Sequence, residues 1–124
     1  MSFTPSPGST LTLAVQKGGG SSQQTLVRYA QSSSQLSVDR NASGNTAYDP
    51  AAGGVHTATV RPSVYGEVHL CILVDVCSIE IFGGQGEVVI SNLVFSNMAA
   101  DGVSLEVAGG AVTLAEVLVR EILL

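Results

Sequence analysis

The sequence predicts an all-β domain: a two-sheet antiparallel β-sandwich of about nine strands. Three observations carry that expectation. Apolar residues recur with period two rather than 3.6 through most of the chain. The alternating runs are separated by glycine- and serine-rich breaks at turn spacings typical of a sandwich. Finally, 124 residues with 45% apolar content bound the chain to one domain with a real core. No apolar run is long enough for a transmembrane helix.

In chain order, residues 1–9 read as an N-terminal extension and residues 10–124 as one sandwich domain. Residues 10–16 alternate and predict a strand, and 17–22 (Lys-Gly-Gly-Gly-Ser-Ser) predict a loop. Residues 25–30 and 35–39 predict two strands around the serine-rich turn 31–34. Residues 40–54 are polar and carry Gly44, Pro50, Gly53 and Gly54, so they predict a long loop. Alternation resumes over 55–60. The central runs 67–75, 78–82 and 87–95 predict three strands, with a short break at 75–78 and a glycine turn at 83–86. A further strand is predicted over 103–107. Residues 111–124 fit a helix, with Leu114, Val117, Leu118 and Ile122 on one face, and also fit alternation. A strand over 112–122 is favoured, because the rest is β and Gly109-Gly110 suits a hairpin turn.

Charge excludes some functions. Five Lys and Arg stand against ten Asp and Glu, a formal net charge of −5. The cations Lys17, Arg28, Arg40, Arg61 and Arg120 are scattered singly. Nucleic-acid binding needs clustered cations to displace counterions, and membrane-surface binding needs a basic amphipathic stretch. Neither partner is expected; a neutral polar ligand or another protein fits better. Cys71 and Cys77 lie six residues apart, roughly 20 Å along a straight strand, too far for a disulfide. They read as two buried or half-buried free thiols, which favours an intracellular setting. With His56 and His69 the only histidines, no metal site and no cofactor are expected. Residues 1–8 lack the features of a signal peptide. The expectation is therefore a cytoplasmic protein if the chain is complete, or a secreted one from which a leader or upstream domain was removed. Asn41-Ala42-Ser43 is a glycosylation sequon, a triplet common by chance.

Residues 67–87 carry a more specific pattern: Val74-Asp75, then Ser78-Ile79-Glu80-Ile81-Phe82, then a turn over Gly83, Gly84 and Gly86. Upstream stand Leu36-Ser37-Val38-Asp39-Arg40 with Ser43-Gly44, then Asp49-Pro50 and Gly54-Val55-His56; downstream stands Val119-Arg120-Glu121. Together, over roughly residues 10–122, these resemble the C-terminal β-sandwich module of glycoside hydrolase family 32, the invertases, inulinases and levanases, with the fungal form closest. The resemblance implies a jelly-roll or concanavalin-like sandwich. Val76, Cys77 and Cys71 depart from residues usual in the family, and its leading strands are not recognised before Leu11. The family's catalytic motifs W-M-N-D-P-N-G, R-D-P and E-C do not occur.

The resemblance and that absence imply a non-catalytic, lectin-like carbohydrate-binding module for β-fructosides or another glycan. The alternative is a structural, self-associating module: removal of a packing partner would leave an apolar face and an open sheet edge, so a homodimer or larger assembly is expected. Retaining glycoside hydrolysis needs two carboxyl groups about 5 Å apart, one with a raised pKa. Asp75 and Glu80 could come close across one hairpin, but an Asp opening a tight turn caps backbone N–H groups, so no catalytic residue is expected. The candidate ligand-binding residues are Asp39, Arg40, Asp75, Glu80 and Tyr48. The Arg40 guanidinium could fork onto vicinal sugar hydroxyls, or pair internally with Asp39, Asp75 or Glu80 and pin two hairpins. Tyr48 and Tyr29 could stack on a sugar face or pack in loop and core. His56 and His69 read as structural, hydrogen-bonded histidines.

Overall fold

A computed structural model describes residues 1–18, 23–44, 54–75, 77–84, 86–94 and 102–119. Among them are ten strands: β1 (Ser2–Pro5), β2 (Thr10–Lys17), β3 (Thr25–Ala30), β4 (Gln35–Asp39), β5 (Val55–Thr59), β6 (Val68–Val74), β7 (Ser78–Gly83), β8 (Val88–Leu93), β9 (Gly102–Ala108) and β10 (Val112–Glu116). The only helical element among the described residues is a 3₁₀ turn at Gln31–Ser33. The first sheet runs β10-β1-β6-β7-β8 and the second β5-β4-β3-β2-β9. Every paired neighbour is antiparallel. The chain is an antiparallel β-sandwich, as the period-two pattern leads one to expect.

The two sheets meet through the apolar parity of their strands. Leu11, Val27, Tyr29, Leu36 and Val38 face inward from the second sheet and Phe3, Val68, Leu70, Ile79, Ile81 and Ile90 from the first. Each large aliphatic side chain so buried contributes about 1.5–3 kcal/mol. Phe3 and Tyr29 join the layers edge to face, ring centroids 5.7 Å apart. The Tyr29 hydroxyl donates to the Val60 carbonyl at 2.7 Å. Tyr29 is 1% exposed, so it is a core residue and offers no stacking face to a sugar.

Three features differ from the sequence reading. The segment read as an extension contains β1, which lies between β10 and β6 and buries Phe3 completely. Four residues bounded by a proline are too short to show a period. β10 ends at Glu116, and residues 117–119 follow it without strand pairing. Finally, Cys71 and Cys77 are both free, as expected, but exposed rather than buried. Val68 and Leu70 take the inward positions of β6, and parity turns Cys71 to the outer face.

Candidate functional site: a polar groove on the second sheet

The nominated residues fall in separate places. β4 alternates, so Leu36, Val38 and then Arg40 point inward while Ser37 and Asp39 point outward. Asp39 and Arg40, adjacent in sequence, thus serve opposite faces. Arg40 is 4% exposed at the edge of the core. Its Nη1 donates to the Leu93 carbonyl of β8 at 3.0 Å, which ties the second sheet to the first. Its Nη2 lies 3.2 Å from His56 Nε2. A guanidinium has no lone pair to offer, so Nε2 is the acceptor in this contact. The Arg40 carbonyl accepts the Ser43 hydroxyl at 2.8 Å, closing the turn that follows β4.

Asp75 and Glu80 belong to the first sheet. Glu80 stands between Leu73 and Ser91 on its outer face, half-buried, and Asp75 is exposed where β6 ends. The Asp75 N–H donates to the Ser78 carbonyl, which closes the hairpin, and its carbonyl accepts the Gln16 amide at 3.1 Å. Tyr48 lies outside the described residues. The structure therefore brings none of Asp39, Arg40, Asp75 and Glu80 into one cluster. His69 accepts or donates at 2.6 Å to the Ser2 hydroxyl on the outer face of the first sheet.

A concave site exists instead on the outer face of the second sheet. Its floor is β2, where Thr12 and Ala14 are small. Its walls are Leu26 and Arg28 of β3 and Ser104 and Glu106 of β9, and Lys17 and Gln24 close one end. The cavity is about 260 Å³. Strand register sets two rows across it: Arg28–Thr12–Glu106 and Leu26–Ala14–Ser104. The first row places a guanidinium, a hydroxyl and a carboxylate side by side.

The charged walls are held in place. Arg28 Nη1 contacts Asp39 Oδ2 at 3.0 Å. Burial pushes the Asp39 carboxyl upward, but the Asn41 N–H bonded to it and then the Arg28 guanidinium outweigh that and hold it below the usual carboxylate range. Lys17 Nζ donates to Ser104 Oγ at 2.9 Å. Strict alternation would turn Lys17 inward with Leu13 and Val15. A β-bulge between Ala14 and Lys17, with Gln16 at φ 52°, resets the parity and delivers Lys17 to the groove. Gly102 lies opposite, where a Cβ would stand 2.9 Å from the Lys17 carbonyl oxygen. Sequence reasoning did not find the groove because its residues are spread over three strands. Its one local signal is the Gln16-Lys17-Gly18 end of β2.

Chemically, the groove offers both donors and acceptors: ammonium, guanidinium and amide against carboxylate and two hydroxyls. Among the described residues no group of three or more His, Cys, Asp or Glu is placed to hold a metal ion. No helix among them is long and apolar enough to cross a membrane.

The model of the family "Glycosyl hydrolases family 32 C terminal" matches residues 1–121. The chain belongs to this family. The resemblance carried by residues 67–87 is therefore real and extends over nearly the whole chain. The family 32 C-terminal module is 38% identical over 111 residues to a levanase of Bacillus subtilis (strain 168), an alignment covering 89% of this chain and 16% of the levanase. It is 34% identical over 105 residues to an extracellular exo-inulinase of Aspergillus awamori, covering 85% of this chain and 20% of that protein. The crystal structure of the A. awamori exo-inulinase superposes with a TM-score of 0.83 at 34% identity, over 90% of this chain and 22% of the other. A β-fructofuranosidase of Schwanniomyces occidentalis complexed with fructose, 17% identical, shares the fold at a TM-score of 0.69, over 91% of this chain and 26% of that one. The chain thus spans about a fifth of the length of the relatives it matches. It corresponds to their C-terminal β-sandwich, not to the catalytic domain.

Proposed function

We propose that this module binds carbohydrate without cleaving it, and that its ligand is a β-fructoside held in the groove on the second sheet. The observation that carries this reading is the row Arg28–Thr12–Glu106, anchored by Asp39 behind Arg28 and flanked by the Lys17–Ser104 pair. A neutral polyol presents hydroxyls that donate and accept at once, and this row answers both. Pre-held charged side chains lose little entropy on binding. The relatives named levanase and exo-inulinase point to fructans as the ligand class. Absence of cleavage is part of the same proposal: Asn41 and Arg28 hold the Asp39 carboxyl below its usual range, which disfavours it as the protonated acid of glycoside hydrolysis.

Isothermal titration with inulin- and levan-derived oligosaccharides and with sucrose tests this. We expect saturable binding, weakened about tenfold or more by Arg28→Ala or Glu106→Ala, the effect of losing one charge-assisted hydrogen bond. No heat with any of the three sugars overturns the reading, as does release of free fructose.

A further inference from the structure

We propose that the groove is one end of a longer track, and that its ligand is a stretch of fructan chain several units long rather than a single sugar. This deepens the carbohydrate reading and rests on it. Register carries the row Arg28–Thr12–Glu106 onward to Ser37 of β4 and Thr57 of β5. The row Thr57–Ser37–Arg28–Thr12–Glu106 therefore crosses all five strands of the second sheet on its outer face. Neighbouring strands lie ~4.8 Å apart, so the row spans about 19 Å. A sugar unit is comparable in length to one such gap, so the row accommodates several. The groove of about 260 Å³ covers only the part on β3, β2 and β9.

Arg28 does not stand as a barrier between the groove and β4. Its Nη1 donates to Asp39 Oδ2 at 3.0 Å, so the side chain leans over β4 and uses one of its five N–H donors there. At 38% exposure it keeps further donors for a ligand passing over it. The next row along the strands is Ala30–Thr10–Ala108, whose small side chains leave room beside the track. The outer face of the first sheet is the opposite in chemistry, since its row Cys71–Phe82–Val89 carries no hydroxyl and no charge. A hydroxyl-lined row is thus a property of this face and not of both surfaces of the sandwich. Neighbouring strands are also rotated by about 20–25°, so the row turns through about 80–100° from Thr57 to Glu106. A single flexible chain can follow that turn, whereas the flat face of a crystalline polysaccharide meets only part of it. The track suits one dissolved fructan chain laid across the strands.

Isothermal titration with sucrose and with a graded series of inulin oligosaccharides tests the track. Molar affinity is expected to rise about tenfold or more from sucrose to the longer chains, the gain from one or two added hydrogen bonds, and to level off once a chain covers the row. In the double variant Ser37→Ala, Thr57→Val, the ratio of long-chain to sucrose affinity is expected to fall about threefold or more. Both positions lie on the outer face of paired strands and valine suits a strand, so the sheet is kept. Equal molar affinity at every length, the behaviour of a site that holds one sugar, overturns the track and leaves the groove standing. So does an unchanged ratio in the double variant. Binding at no length overturns both readings.

Discussion

Arg40 shows how parity decides what a residue can do. Its neighbour Asp39 faces the solvent side of the second sheet, while Arg40 enters the core edge and donates to a carbonyl of the opposite sheet. Arg40→Met would leave the Leu93 carbonyl without that donor, and we expect a loss of about 1–3 kcal/mol in urea denaturation. Arg40→Lys should recover little, because one ammonium cannot reach both Leu93 and His56. Asp39 gives a prediction of different sign structure. Its folded pKa is depressed, so its contribution to stability is present above the unfolded carboxylate value and lost as pH falls through the folded one. Arg28→Met should shrink that acid-side loss, by a small amount because the pair is partly exposed. Urea midpoints of both proteins across the acidic range check this. From sequence, Asp39 and Arg40 look like one functional pair because they are adjacent; only the pleat separates them. Lys17 was hidden for the complementary reason, since a bulge reverses the face that alternation assigns to it.

At the scale of elements, the groove depends on how β2 and β9 approach. The bulge at Ala14–Lys17 brings the Lys17 backbone against Gly102, with no room for a side chain there. Gly102→Ala is expected to cost about 1–3 kcal/mol and to weaken fructoside binding by displacing Lys17, measured by thermal unfolding and titration of the same sample. β3 and β4 were legible to the residue, because each alternates cleanly between serine-rich and polar breaks. β1 was not: it has four residues, ends in proline, and owes its place to Phe3 filling the core rather than to any local pattern. β10 ends at Glu116; the apolar content continues through the described residues 117–119, but pairing with β1 does not.

For the whole molecule, the two sides of the sandwich are unlike. One is tied by Arg40; the other exposes inward-facing residues of β9 and β10, including Leu114 opposite Phe3. The fold and its family were readable in the sequence because they rest on periodicity and on motifs that are local. The groove was not, because it is assembled by strand register across β3, β2 and β9, and register is set by the whole sheet.

The most direct test of a fructoside held in that groove is a ¹⁵N NMR titration of the purified chain with a short inulin oligosaccharide. Saturable shifts centred on Thr12, Ala14, Arg28, Ser104 and Glu106 are the expected result. Unchanged spectra at saturating sugar, or shifts centred instead on Asp75 and Glu80 of the first sheet, would contradict it.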